Sequence, residues 1–442
     1  MSAVSTDAEQ PSTARPALAR ALLARRRARD SSPLLVSAYS LGVNSVLTAG
    51  LGMAFWVVAA RTYPSTSVGQ DSALLAAMMQ ISMVAQLNMA NAVVRFMPGH
   101  SAGGRLLFWA YVSSSTAAVL FGAGFVFLAP LISDDFAFLT REPLTGLAYV
   151  AAVAFWGVFA LQDCALIALG HAPWVPLKNG VFGLLKLAAL PLMFAIGSAH
   201  GVFAAWIVPM FLLLVPVNWL IFRRLLVRYR ATRESRTSPA MLPRRRLASF
   251  LALDYLATVF AQTSLAVLPI LVVAILGTRA NAHFYIPFSI AIALDAAFFS
   301  ISMSLVAEGA LAPARVPALV RLLVRRALFI VLPLVTLLFV AAPLVMRLFG
   351  EEYAGNSTPV LRILLCASLC RAVVALVGAI WRLNGSTGRI AALDGCMLLG
   401  VAATTVPLAQ AMGVVGVALA WLGTTLVVAC VGLPVLIRYL RS

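Results

Sequence analysis

Four carboxylates lie inside strongly apolar stretches of this 442-residue chain: Asp163, Asp254, Asp295 and Asp394. A charge at the centre of a bilayer costs at least about 2.5 kcal/mol, so an acid held there pairs with a base, lines a wet cavity or binds a coupling cation. Bases are at hand. Lys178, Lys186, Arg362 and Arg371 also fall within apolar runs, and Arg382 just beyond one. Arg371 and Arg382 are eleven residues apart and so share a helix face, which Arg362 does not. Guanidinium groups grip phosphate oxygens two at a time, so Lys178, Arg371 and Arg382 facing a cavity would attract phosphate. For Asp163 an ion pair and a cavity role weigh equally, because its run neighbours the one carrying both lysines. Asp254, followed by Thr258 and Gln262 at i+4 and i+8, and Asp295 are read as cavity or ion-coupling groups. Asp394 divides evenly between coupling and pairing.

Amides accompany these charges. Ser37, Ser40, Asn44 and Thr48 form one polar stripe, and in "NMANAVVRFMPGH" Asn88, Asn91 and Arg95 fall at i, i+3 and i+7. Hydroxyls and amides commonly join membrane helices to one another, which accounts for the serines and threonines. The amides and Arg95 fit a hydrophilic cavity better, although Pro98-Gly99 ends the helix nearby and Arg95 could snorkel to the interface.

The elements that must position these groups follow from composition. The chain is 62% hydrophobic and 11% charged, too apolar for a water-soluble globule. Stretches of about 20 apolar residues, enough to cross roughly 30 Å of hydrocarbon, recur about twelve times. They cover approximately residues 34–60, 72–97, 105–130, 145–169, 175–197, 201–222, 248–277, 283–307, 327–349, 357–381, 388–410 and 415–437. No dyad alternation is visible and open sheet edges cannot be solvated by lipid, so each span is expected to be a helix. The fold class is therefore an all-α polytopic membrane protein of about twelve transmembrane helices.

Charge supplies the orientation, since cytoplasmic loops retain Lys and Arg. With the N-terminus inside, only Arg61, Arg141, Arg279 and Arg347 of the 33 basic residues fall outside, and Lys186, Arg362 and Arg371 lie deeper in spans. Both termini are then cytoplasmic. The net charge of +18 reflects topology and contact with anionic membrane lipids; spread over many loops, it does not mark a nucleic-acid surface. Residues 1–32 read as a disordered basic tail without a cleavage pattern. Residues 33–222 form one six-helix half, 223–246 a basic cytoplasmic linker and 247–442 a second half.

The halves resemble each other: "FWVVAARTYPSTSVGQDSALLAAMM" at 55–79 aligns with "PILVVAILGTRANAHFYIPFSIAIA" at 269–293, and "VFLAPLI" at 126–132 with "FVAAPLV" at 339–345. Two repeats of even span number share one orientation, so a central cavity between them is the natural site. Prolines within the spans, among them Pro191, Pro209, Pro287 and Pro407, favour bent helices suited to rocking.

Enzyme signatures are scarce. No P-loop, HExxH or GxSxG appears, and Asp134-Asp135 reads as a solvated loop. An ATP-driven pump would need its engine on another chain. The five cysteines all lie in spans, and neither a disulfide framework nor a metal site is expected.

Taken together, the "NSVLTAGLGMAFWVVAARTYPSTSVGQDSALLAAM" opening, "NAVVRFMPG" and "LFGEEYAGNSTPVLRILL" resemble the polysaccharide and O-antigen type flippases of the multidrug/oligosaccharidyl-lipid/polysaccharide (MOP) exporter superfamily, over residues 33–440. The resemblance implies translocation of a polyprenyl-pyrophosphate-linked oligosaccharide from the inner to the outer leaflet of a bacterial plasma membrane, for cell-surface polysaccharide export. Arg95, Lys178, Arg371 and Arg382 would neutralise the pyrophosphate, and Asn44, Asn88, Asn91 and Gln262 would bond sugar or phosphate oxygens. Asp254, Asp295 or Asp394 would bind a proton or a sodium ion, with no other cofactor. Asp254 and Asp394 lie on the helices that supply a sodium site in related lipid II flippases. Ile390 is apolar where those proteins place an amide, so a proton is an equal candidate. The two extra C-terminal helices usual in that group are also absent here. A polysaccharide polymerase and glycosyltransferases are the expected partners. The rival readings are a multidrug cation antiporter of the same superfamily, a lipid II flippase, a polymerase and a non-transporting scaffold.

Overall fold

The computed structural model describes residues 40–97, 103–233, 244–311, 316–326, 329 and 331–441. The tail expected at 1–32 and the centre of the 223–246 linker lie outside the described residues. Every regular element among those described is helical, as lipid requires of a chain whose backbone polar groups cannot find water. The first helix, α1, spans Ser40–Thr62. It is followed by α2 (Ser65–Ala85), α3 (Met89–Phe96), α4 (Gly103–Ile132), the short α5 (Phe138–Arg141), α6 (Pro143–Ala168), α7 (Trp174–Ala195), α8 (Gly201–Trp219) and α9 (Leu226–Arg233). The second half contains α10 (Arg244–Leu276), α11 (Thr278–Leu311), α12 (Val316–Arg326), α13 (Leu332–Arg347), α14 (Glu351–Leu383) and α15 (Thr387–Arg441).

Nine of the described helices are long and apolar enough to cross a membrane. The 55 residues of α15 would run about 80 Å if straight, far beyond one bilayer. Gly413, with φ 61° and ψ −141°, breaks it. The chain turns back so tightly there that a side chain at Gly416 would collide with the Leu408 carbonyl. The helix is thus two antiparallel arms. Counting those arms, and taking α2 with α3 and α12 with α13 as composite spans, accounts for the twelve expected crossings.

Two boundaries differ from expectation. The helix expected over 72–97 starts earlier, at Ser65, and breaks at Leu87 and Asn88, both left-handed at φ 49° and 62°. Asn88 therefore does not stand on a helical stripe with Asn91 and Arg95. It is the hinge before α3, a role its short amide side chain tolerates better than most. The segment expected to link the ninth and tenth spans is instead the start of α14. Gly350 at φ 129° ends the preceding turn, and Glu351 and Glu352 occupy the first turn, where negative charge suits the helix dipole.

The halves meet along α2, which packs on α4, α6 and α8 in its own half and on α10 and α11 in the other. Gly69 makes the closest approach: a side chain there would strike the Thr278 carbonyl. Phe55, Trp56 and Ala59 of α1 and Ala282, Ile286 and Ile290 of α11 are buried, and Trp56 meets Tyr285 edge-on at 4.9 Å. Toward the other end Leu41, Val43 and Val46 of α1 and Phe299, Ile301 and Met303 of α11 are exposed. The halves are thus in contact at the end of the 63–64, 277 and 348–350 connections, while the opposite ends of α1 and α11 carry exposed apolar side chains.

Candidate functional site

In the second half the expected charges converge. α11 presents Asp295 and α14 presents Arg371, whose Nε lies 2.7 Å from Asp295 Oδ2. Both arms of α15 contribute: Trp421 places its ring 5.3 Å beneath the Arg371 guanidinium, and Met397 accepts from Nη1 at 3.6 Å. The eleven-residue spacing puts Arg382 along the same side, over the ring of exposed Phe299 at 5.8 Å. Asp394, half-buried on the first arm of α15, is within electrostatic reach of both arginines. Two cations and two acids thus cluster where α11, α14 and the arms of α15 meet. A charge-assisted pair such as Asp295–Arg371 is strong while closed and costly to open unless each charge finds a replacement partner.

The first half carries a smaller cluster. Lys178 on α7 meets Asp163 on α6 at 2.7 Å, donates to the Phe159 carbonyl at 2.8 Å and lies over the Phe159 ring at 3.6 Å. Asn179 donates to both Asp163 Oδ2 (3.1 Å) and Asn44 Oδ1 (3.0 Å), tying α1, α6 and α7 together. Lys178 is almost wholly enclosed, with 2% of its side chain exposed, whereas Asp163 keeps 27%. Lys186, two turns further along α7, has taken no part in this pairing. Its ammonium lies 3.5 Å from the Trp206 ring centre, with Phe55 and Phe182 at 5.0 and 5.4 Å, an aromatic box that replaces a counter-ion by ring quadrupoles. Arg362 donates to the Phe339 carbonyl at 3.2 Å, away from Arg371.

The remaining candidates sit elsewhere. Asn91 donates to Asn88 at 2.6 Å, so these two amides bond each other at the hinge. Gln262 is half-buried on α10 beside Thr263, which stands 2.9 Å from Gln80 of α2 at the contact of the halves. Arg95 is carried by α3 and Asp254 by α10, but their side chains lie outside the described residues.

Several polar residues at the end where the halves touch were missed in the sequence. Arg61 donates to the carbonyls of Leu348 (2.8 Å) and Arg347 (2.9 Å) across the halves. Glu352 receives Ser65 at 3.2 Å, Arg279 at 2.9 Å and His283 at 3.3 Å. Asn281 donates to the Gly69 carbonyl at 2.7 Å. Asp71, fully buried, accepts from the backbone of Val202 and Phe203 at 3.0 Å and contacts His200 at 3.1 Å, capping the start of α8. An acid one residue outside the expected span at 72–97 escaped notice, yet "GQDS" within an amphiphilic turn was its visible signal.

No family model matches the chain, and no curated protein does. Solved structures do. An inward-facing multidrug resistance MATE family transporter of the MOP superfamily is 16% identical, covering 92% of this chain and 98% of its own, at a TM-score of 0.65. The lipid II flippase MurJ in an inward closed conformation is 12% identical, covering 92% and 88%, at 0.68. A MOP superfamily transporter from Pyrococcus furiosus, described as having a binding pocket of reverse polarity, is 14% identical, covering 93% and 96%, at 0.56. The chain has the fold these transporters share.

Proposed function

We propose that this MOP-type fold works here as a flippase, carrying a polyprenyl-pyrophosphate-linked oligosaccharide between leaflets of a bacterial plasma membrane by alternating access. The observation that carries the reading is the gathering of Arg371 and Arg382 with Asp295 and Asp394 where α11, α14 and α15 meet. In this reading the halves part on one side, so that the apolar chain stays in lipid while its charged head enters, and the arginine-rich end is cytoplasmic.

The Asp295–Arg371 pair gives this mechanism its switch. An arriving pyrophosphate competes with Asp295 for the guanidinium, which meets the carboxylate through Nε alone and could grip phosphate oxygens in pairs. Asp295, released, takes a proton or a sodium ion, and Asp394 beside the same arginines is the second acid available for it. Lys178 is committed to Asp163, so its share is to hold the α6–α7–α1 wall on which Asn44 stands. Arg95, Asn88, Asn91, Gln262 and Asp254 remain candidates for contact with head group or ion as α3 and α10 move. A polymerase and glycosyltransferases would act on the same lipid before and after it.

The test is leaflet protection of a labelled polyprenyl-pyrophosphate oligosaccharide in proteoliposomes, with and without an imposed proton or sodium gradient. Gradient-stimulated transfer lost in Arg371→Ala supports the proposal. A second reading, a cation antiporter, is favoured by Asp295 and Asp394 standing with the Trp421 and Phe299 rings. Export of small organic cations without any lipid transfer would select it, and transfer confined to lipid II would select that flippase activity.

A further inference from the structure

Apart from the Asp295–Arg371 wall, the end of α14 and the two ends of α15 enclose a notch of about 480 Å³. That volume is in the range of small-molecule sites. Trp381 and Asn384 from the end of α14, Arg389 from the start of α15, and Arg438 and Tyr439 from its end line it. The walls are braced: Asn384 donates to the Tyr439 hydroxyl at 3.1 Å, joining the last turn of α14 to the last turn of α15. Arg389 and Arg438 are exposed and enter no ion pair among the described residues. The chemistry around them is one-sided. From Leu376 to the end of the sequence the only acid is Asp394, which answers Arg371 and Arg382, while Arg389, Arg438 and Arg441 are added bases.

Three features point to the ligand. Two guanidinium groups lining one concavity suit an anion that accepts from both. The first turn of α15, beginning at Thr387, brings the positive end of a helix dipole to the same place. Pro434 and Val435 complete the lining with apolar surface, and Trp381 and Tyr439 are the amphipathic rings that favour a membrane interface. We propose that this notch binds a phosphate group, Arg389 and Arg438 clamping its oxygens, with an anionic phospholipid head as the source and the apolar lining receiving the start of its acyl chains. The site is separate from the transport wall, and its existence does not depend on what the protein transports.

The experiment is equilibrium binding of short-chain phosphatidylglycerol to the full-length protein in detergent, alongside short-chain phosphatidylcholine and with inorganic phosphate as competitor. Phosphatidylglycerol should bind, phosphatidylcholine should not, and the Arg389→Gln/Arg438→Gln variant should bind roughly 30-fold more weakly, as loss of two interfacial basic contacts implies. The Arg389→Lys/Arg438→Lys variant should recover most of the affinity, which separates lost charge from a misfolded protein. Unchanged binding in the Gln variant, or equal weakening by Arg321→Gln/Arg325→Gln on α12, would overturn the proposal. Displacement by inorganic phosphate would assign the notch to free phosphate groups; failure to displace assigns it to the lipid.

Discussion

Asp163 and Lys178 show how a pair of residues can be legible as types and illegible as geometry. The sequence places an acid and two lysines on adjacent spans, but only side-chain direction decides that Lys178 takes the acid and Lys186 the aromatic box. Removing one partner of an enclosed pair leaves the other charge stranded, at a cost of about 3 kcal/mol. Asp163→Asn should therefore lower the thermal unfolding temperature in detergent, and adding Lys178→Met should return most of the loss. At Asp295 the expected outcome is different, because that pair is the proposed switch. Asp295→Asn frees Arg371 from its internal competitor, so pyrophosphate lipid should bind more tightly while gradient stimulation of transfer disappears, as read by binding and flipping assays on one preparation. Loss of binding with coupling retained would reverse the two roles.

At the level of elements, hydropathy located the crossings because a span of about 20 apolar residues is a length requirement that local sequence must satisfy. It could not find the break at Leu87 and Asn88, since a left-handed hinge changes two backbone angles without interrupting the apolar run. It did separate the two arms of α15, between 410 and 415, although not the residue, Gly413, that makes the break. The seam of α2 on α11 was foreshadowed by the repeat that aligns 55–79 with 269–293, but contact at Gly69 depends on the crossing of two helices distant in sequence. Gly69→Val should push α2 from α11 and weaken the contact of the halves at that end, increasing the reactivity of a cysteine placed at Ser65 toward a membrane-impermeant thiol reagent. A Ser65→Cys/Glu352→Cys pair, joining positions now in hydrogen-bond contact, should cross-link under oxidation and arrest transport until reduced. Transport that continues in the cross-linked protein would mean that this end need not open.

For the whole molecule, the contacts at the Arg61 and Glu352 end describe one of at least two states an alternating carrier must visit. Spin labels at Val43 and Ile301 should report a distance that changes in the opposite sense to that between labels at Ser65 and Glu352 in the same titration. Independent movement of the two pairs would rule out a rocking motion. The bond that holds the present state closed has a consequence for how such a protein can drift. Arg61 reaches across to main-chain oxygens of residues 347 and 348, which every amino acid supplies. Neighbouring side chains can change freely without loosening it, so among descendants of this sequence position 61 should stay fixed with no covarying partner, a latch invisible to any method that searches for correlated pairs.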